Sequence, residues 1–269
     1  MKKKRFNNIA RDIKNLKIQG AKNIAKKALQ AYFLIPTKNS KKKLLSLRPT
    51  EPLLKKVLTL AEKNKSSKEI LNHLNNSQEK INKFVFKLIK KQDIIFTHCH
   101  SSTLVNALIY SRKKGKIFQV YNTETRPLFQ GRKTFRELSK AGIKVTQFVD
   151  SAAQIALTKK QGTKKVNKIF FGSDAILKKG VINKVGSGMF ANVAFSHKIP
   201  VYILADSWKF TKENIKLEKR SFKEIWKKVL INKNKIENPC FEFIPKKYIK
   251  VIISELGNLS YEEFLKKVN

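Results

Sequence analysis

The sequence predicts an α/β protein in which a helical N-terminal region precedes an open, parallel-sheet domain. Three observations carry that prediction. Up to position 92 apolar residues recur three and four apart, the spacing of one helix face. From position 93 short β-branched and aromatic runs alternate with amphipathic segments, the pattern of right-handed strand–helix–strand units. Each candidate strand, finally, ends in residues able to do chemistry.

Within 1–92, taken as one helical domain, Ile13, Leu16 and Ile18 mark a first helix and Ile24, Ala28, Leu29 and Tyr32 a second. Pro36 and Pro49 interrupt the region. A further helix fits 52–63 through Leu53, Leu54, Val57, Leu58 and Leu60. Ser66-Ser67-Lys68-Glu69 can cap the next, which carries Ile70, Leu71 and Leu74. Ile81, Phe84, Val85, Leu88 and Ile89 define a last helix over 78–91. Within 93–269, the α/β domain, strands fit 93–97, 117–122, 145–149, 169–172 and 201–205, with a late one at 251–254. Helices fit 102–113, 132–141, 152–160 and 188–196, and a closing one 261–268. There is no internal repeat and no low-complexity linker.

A chain of 269 residues can bury a real core, and 41% apolar with 10% aromatic residues argues against disorder despite 29% charged residues. Lys and Arg number 59 against 19 Asp and Glu, a formal net charge of +40. Nucleic acid, acidic membrane and phosphorylated metabolites are therefore all admissible partners. The cations are spread along the whole chain, as solvated surface positions are, so charge alone selects none of them. Cys99 and Cys240 lack paired spacing, which predicts reduced thiols in a cytoplasmic setting rather than a disulfide framework. No apolar segment follows Met1-Lys2-Lys3-Lys4-Arg5, and no run approaches the ~20 residues a bilayer span needs. A soluble protein with no membrane partner is expected.

In an open parallel sheet all strands deliver their carboxyl ends to one side, where ligands bind. Cys99 follows Asp93-Ile94-Ile95-Phe96-Thr97-His98, and Asp174 follows Lys168-Ile169-Phe170-Phe171-Gly172-Ser173. A thiol and a carboxylate opening into one crevice suggest proton-transfer chemistry. A free cysteine is also often just a small buried apolar side chain. Here, however, Cys99 precedes a helix start at Ser101-Ser102, and a helix N-terminus with nearby cations lowers a thiol pKa. His98-Cys99-His100 invites a metal, yet adjacent residues converge poorly on one tetrahedral ion, so none is expected. Asn183-Lys184-Val185-Gly186-Ser187-Gly188 precedes a helix and would leave backbone N–H groups free for an anion. It lacks the Gly-Lys-Ser/Thr of a P-loop and equally fits a tight turn. Arg48 before Pro49 can grip phosphate bidentately or simply mark a helix boundary. His73 and His197 read as isolated surface or core histidines. No nucleophilic triad and no dinucleotide fingerprint is present.

Thr97-His98-Cys99-His100-Ser101, then Thr123-Glu124-Thr125-Arg126-Pro127-Leu128-Phe129-Gln130-Gly131-Arg132, resemble one superfamily, as do Asp150-Ser151-Ala152, Gly172-Ser173-Asp174-Ala175-Ile176 and Gly180-Val181-Ile182-Asn183-Lys184-Val185-Gly186. It contains ribose-1,5-bisphosphate isomerase, methylthioribose-1-phosphate isomerase and the α/β/δ subunits of translation initiation factor 2B. The likeness extends through Gln19-Gly20-Ala21, Arg48-Pro49-Thr50, Ser207-Trp208-Lys209-Phe210 and Asn238-Pro239-Cys240-Phe241, and so covers nearly the whole chain. The resemblance implies a helical N-terminal domain followed by a Rossmann-like domain. It implies that Cys99 and Asp174 form a catalytic pair, the latter as a neutral acid. Phosphates would be held by Gly20 and Ala21, Arg48, Asn183 and Lys184, and Lys209, with Gln130 lining the sugar. Gln19 stands where the family's turn carries Arg. His100-Ser101-Ser102, in place of the Asn-Ala-Gly of the methylthioribose branch, favours the ribose-bisphosphate branch. The expected activity is isomerisation of ribose 1,5-bisphosphate to ribulose 1,5-bisphosphate for nucleotide salvage, without cofactor, in a homo-oligomer (dimer or hexamer). The alternative is a non-catalytic translation initiation factor 2B-like subunit that contacts nucleic acid or a translation factor.

Overall fold

The computed structural model describes residues 1–228 and 235–269. Its first part is helical: α1 (Lys2–Lys14), α2 (Ala21–Leu34), α3 (Lys38–Ser46), α4 (Pro52–Glu62) and α5 (Ser67–Leu88). Phe6, Ala10 and Ile13 of α1 meet Ile24, Ala28 and Leu29 of α2 and Leu54, Val57 and Leu58 of α4 in one apolar core. Ser66 caps α5 in a reciprocal box, accepting from Glu69 N–H while its own N–H donates to the Glu69 carboxylate. The sequence pattern predicts two helices across 67–91, and here it is corrected: α5 is one unbroken helix of 22 residues. Asn75-Asn76-Ser77 interrupts the apolar stripe without Gly or Pro, so polarity alone does not stop the helix. Ile70 and Leu74 bury in the helical core, whereas Ile81, Val85 and the following Ile89 bury against the sheet. One helix therefore belongs to two cores.

The remainder runs β1 (Asp93–Thr97), α6 (Ser102–Lys113), β2 (Phe118–Thr123), α7 (Gln130–Lys140), β3 (Lys144–Phe148), α8 (Ala153–Leu157), β4 (Lys168–Phe171), β5 (Ala175–Ile176), β6 (Gly180–Lys184), α9 (Ser187–Ser196), β7 (Val201–Leu204), β8 (Phe241–Pro245), β9 (Val251–Ser254), β10 (Gly257–Leu259) and α10 (Tyr261–Val268). The main sheet has the order β10-β9-β7-β4-β1-β2-β3 and is parallel except for β10. Alternate residues face opposite layers, as a strand's period of two requires. Phe96, Ile169, Phe171 and Ile203 pack towards α9 and α10, while Ile95, Phe170, Tyr202 and Leu204 pack towards α5 and α6. Four strands escape the sequence pattern: β5, β6 and β8, which form a separate antiparallel sheet, and β10. They are short, and Lys178-Lys179 between β5 and β6 hides the apolar run.

The two ends of the main sheet differ in character. The chain leaves β1 towards β2 and β3, and leaves β4 in the other direction towards β7 and β9, so the strand order reverses between β1 and β4. That reversal opens a crevice at their carboxyl ends. At the opposite end, the buried Asp93 accepts from Lys90 N–H at 2.7 Å and from Lys168 Nζ at 2.5 Å, and Lys168 also donates to Leu88 O at 2.8 Å. No helix among the described residues is long and apolar enough to cross a membrane.

Candidate active site

Both strands beside the crevice end in a turn that is held from several directions. After β1 the backbone enters the left-handed region at Cys99, with φ 66°. Its N–H donates to Thr125 Oγ1 at 3.0 Å, and its carbonyl accepts from Thr134 Oγ1 at 2.8 Å. Thr125 is fixed in turn, because Asp150 accepts from Thr125 N–H at 2.9 Å and from Arg126 N–H at 2.6 Å. His98 is clamped between Thr123 Oγ1 at 2.5 Å and Val185 O at 2.9 Å. The carbonyl can only accept, so Nε2 carries the proton and Nδ1 accepts from the threonine. After β4, Asp174 N–H donates to Ile182 O at 2.9 Å. A Cβ at Gly172 would lie 2.7 Å from Ser101 Cβ and Oγ. Gly172→Ala must therefore displace the cap of α6, next to Cys99. We expect a loss of about 1–3 kcal/mol, read as a lower urea midpoint, together with reduced turnover.

The crevice is a cavity of about 500 Å³. Cys99 and Asp174 form its sheet wall. The helical part supplies Gly20 and Ala21 at the start of α2, and Arg48 after α3. Gln130 comes from the first turn of α7, Asn183 and Lys184 from the end of β6, and Lys209 from the turn after β7. All nine residues singled out in the sequence thus line one cavity, although separate parts of the fold contribute them. Gln130 Oε1 is buried there without a hydrogen-bond partner. Lys209 Nζ donates to Ser173 O, Lys184 Nζ lies 3.7 Å from Cys240 Sγ, and Asn183 Nδ2 donates to Ser187 Oγ at 2.9 Å. Gln19 also lines the cavity, with its side-chain amide donating to Leu16 O at 2.8 Å.

The electrostatics correct two expectations. The helix start and nearby cations predict a lowered thiol pKa, but burial outweighs Lys184 and raises Cys99 to about 12. The resting group is a neutral thiol. Nor is the N-terminus of α9 open to an anion, because Glu242 already accepts from Gly188 N–H at 2.6 Å. At Asp174 burial raises the pKa against the opposing pull of Lys209, Arg48 and Lys184. Burial also holds His98 near 4, and His100 near 4 with help from Lys133, so both rings are neutral at pH 7. The two rings are bound to different neighbours, His98 to Thr123 and Val185, and His100 through Nδ1 to Thr134 Oγ1 at 3.1 Å.

Several contributors are not among the site residues singled out in the sequence, although Asp150 and Cys240 lie within its motifs. Glu51 and Glu218 flank Arg48, Cys240 adds a second thiol to the cavity, and Asp150 fixes the loop behind Cys99. Glu51 directly follows Arg48-Pro49-Thr50, so proximity in sequence was a usable signal; Glu218, 170 residues from Arg48, offered none. His73, expected to be isolated, stacks on Trp208 with ring centroids 3.5 Å apart and lies 3.4 Å from Asp206.

A doubly wound α/β sheet with a thiol and a buried carboxyl at its switch point, faced by buried cations, is the architecture of an enzyme for small anionic substrates. Residues 17–261 match the Initiation factor 2 subunit family, and the chain belongs to that family. It is 30% identical to a ribose 1,5-bisphosphate isomerase of Archaeoglobus fulgidus over 94% of this chain and 89% of the relative. Its identity to the ribose 1,5-bisphosphate isomerase of Methanocaldococcus jannaschii is 34%, over 91% of this chain and 88% of the relative. Among solved structures it resembles the Pyrococcus horikoshii translation initiation factor eIF-2B, with a TM-score of 0.82 at 24% identity, covering 95% of this chain and 97% of that one. That likeness speaks for the fold.

Proposed function

We propose that the protein is a sugar-phosphate aldose–ketose isomerase that converts ribose 1,5-bisphosphate to ribulose 1,5-bisphosphate. The observation that carries this reading is Cys99 and Asp174 at the ends of β1 and β4, in one cavity with Arg48, Lys184 and Lys209. Named relatives at 30% and 34% identity over most of the chain support it. The substrate's phosphates are gripped by Arg48, Lys184 and Lys209 and by the N-terminal turn of α2 at Gly20 and Ala21. Gln130 offers its free oxygen to a sugar hydroxyl.

Asp174, whose pKa burial raises, serves in this reading as the acid that gives its proton to the ring oxygen, and the bond from that oxygen to C1 breaks. C1 is left electron-poor. The C2 hydrogen then migrates to C1 with its electron pair, C2 becomes the ketone carbon, and the proton of its hydroxyl returns to the Asp174 carboxylate. Atoms and charge balance without a cofactor. A thiol raised to about 12 is a poor base at rest, which favours this route over removal of the C2 proton by a Cys99 thiolate. Cys99 then packs against C1 and C2 and keeps them dry. Substrate deuterated at C2 is expected to yield product with the label on C1; exchange of that deuterium into water would show the thiolate route instead. The reading also carries a homo-oligomer, which light scattering on the purified protein tests. The deciding experiment supplies ribose 1,5-bisphosphate and follows ribulose 1,5-bisphosphate by NMR; no turnover at any pH between 6 and 9 would reject the assignment.

A further inference from the structure

Arg48 is the cation that a phosphate would need most, and it already carries two carboxylates. Its Nε lies 3.1 Å from Glu218 Oε2, and its Nη2 lies 3.7 Å from Glu51 Oε1. The Arg48 and Glu51 side chains are only 7% and 2% exposed, so water does little to soften the crowding. A phosphate brought to this guanidinium would meet two like charges at close range. One of them must be neutralised.

Glu218 is not free to change. Arg48 holds its Oε2, and Arg220 Nη1 holds its Oε1 at 3.1 Å. Glu51 is differently placed. At 3.7 Å its contact with Arg48 is too long for a hydrogen bond, and its Oε2 is buried with no partner among the described residues. Arg48 and Lys209 face it as cations, Glu218 as a carboxylate, and Asp174 as a second buried carboxyl whose own pKa is raised. Lys184 and Arg220 line the same cavity. Burial above all brings Glu51 up to about 7.

We propose that Glu51 is a positioning residue that releases Arg48 to a substrate phosphate by taking up a proton as the anion binds. The inference rests on the sugar-phosphate reading of this cavity. Protonation withdraws one negative charge from Arg48 and converts the lone Oε2 from an unmatched acceptor into an O–H donor, which the phosphate oxygen can receive. An adverse contact becomes a hydrogen bond. The linkage has a definite sign. Above pH 7 Glu51 is ionised in the free protein and must gain a proton on binding, so affinity falls with rising pH, up to tenfold per unit.

The test titrates the whole protein calorimetrically with inorganic phosphate and with ribose 1,5-bisphosphate between pH 7.5 and 9. Buffers of low and high ionisation enthalpy then count the protons taken up. For the wild type we expect up to one more proton taken up than for Glu51→Gln, and an affinity that falls about tenfold per pH unit relative to that variant. Glu51→Gln should bind with a flatter pH profile, Glu51→Ala should behave like it, and Glu51→Asp should restore the slope. Lys22, brought down to about 8 chiefly by burial, titrates in the same window but is common to all of these proteins. Equal proton counts and parallel pH profiles in wild type and Glu51→Gln would overturn the proposal. Phosphate binding as described with no turnover of ribose 1,5-bisphosphate would reject the substrate and keep the role of Glu51; no binding of either anion would reject both.

Discussion

Asp174→Asn is expected to lower turnover of ribose 1,5-bisphosphate by about three orders of magnitude, within the range a positioned general acid contributes. The amide keeps the shape of the carboxylic acid but has no proton to give to the ring oxygen. Stability gives the control. The folded-state pKa of Asp174 lies above its ordinary value, so whatever stability its protonated form contributes is lost as pH rises through that raised pKa. At pH 8 an always-neutral Asn is therefore expected to leave the unfolding midpoint unchanged or higher, and lost activity cannot be ascribed to lost fold. In the wild type the same protonation gives a rate that declines as pH rises past the raised pKa, and that limb should vanish from the residual rate of Asp174→Asn. A variant retaining a tenth of wild-type turnover would place the proton donor elsewhere. Cys99→Ser is expected to cost less, up to about a hundredfold, because the thiol acts by positioning and exclusion rather than by ionising.

The largest expected loss of stability comes from the other end of the sheet. Asp93→Ala removes the carboxylate from Lys168, a residue only 7% exposed, and leaves its ammonium group with Leu88 O. Stranding one partner of a buried pair typically costs about 3–5 kcal/mol, which urea unfolding would read as a lower midpoint with an unchanged slope. Replacing both residues with apolar ones of similar volume should recover much of that loss. If Asp93→Ala costs under about 1 kcal/mol, water reaches Lys168 and the pair is not sealed.

Much of this architecture was legible because burial on both faces imposes an unmistakable composition. Asp93–Thr97 and Val251–Ser254 have nearly every side chain enclosed, and their apolar runs match the strands residue for residue. The accessory sheet was hidden because its strands are two to five residues long and separated by lysines. In the cavity, residues that follow a strand or precede a helix could be found, since topology dictates where they face. Glu218 could not, because the long connection between β7 and β8 carries no periodicity and only tertiary contact brings it to Arg48; Cys240 was visible as part of a motif, but not its approach to Lys184. The ionisation state of Cys99 escapes the sequence for a related reason. A helix start is visible there, but the degree of enclosure that outweighs it is not.

The double allegiance of α5 bears on how the protein must be made and lost. A chain severed after residue 92, where the texture changes, would leave the sheet without Ile81, Val85 and Ile89, which cover one of its layers. It would also strip the cavity of Gly20, Ala21 and Arg48. Neither piece would be a working part in waiting. Part of the anion grip and the reacting pair are tied together through one continuous helix. Because Lys184 ends β6 and Lys209 follows β7, during synthesis the site is assembled only once the turn after β7 has emerged.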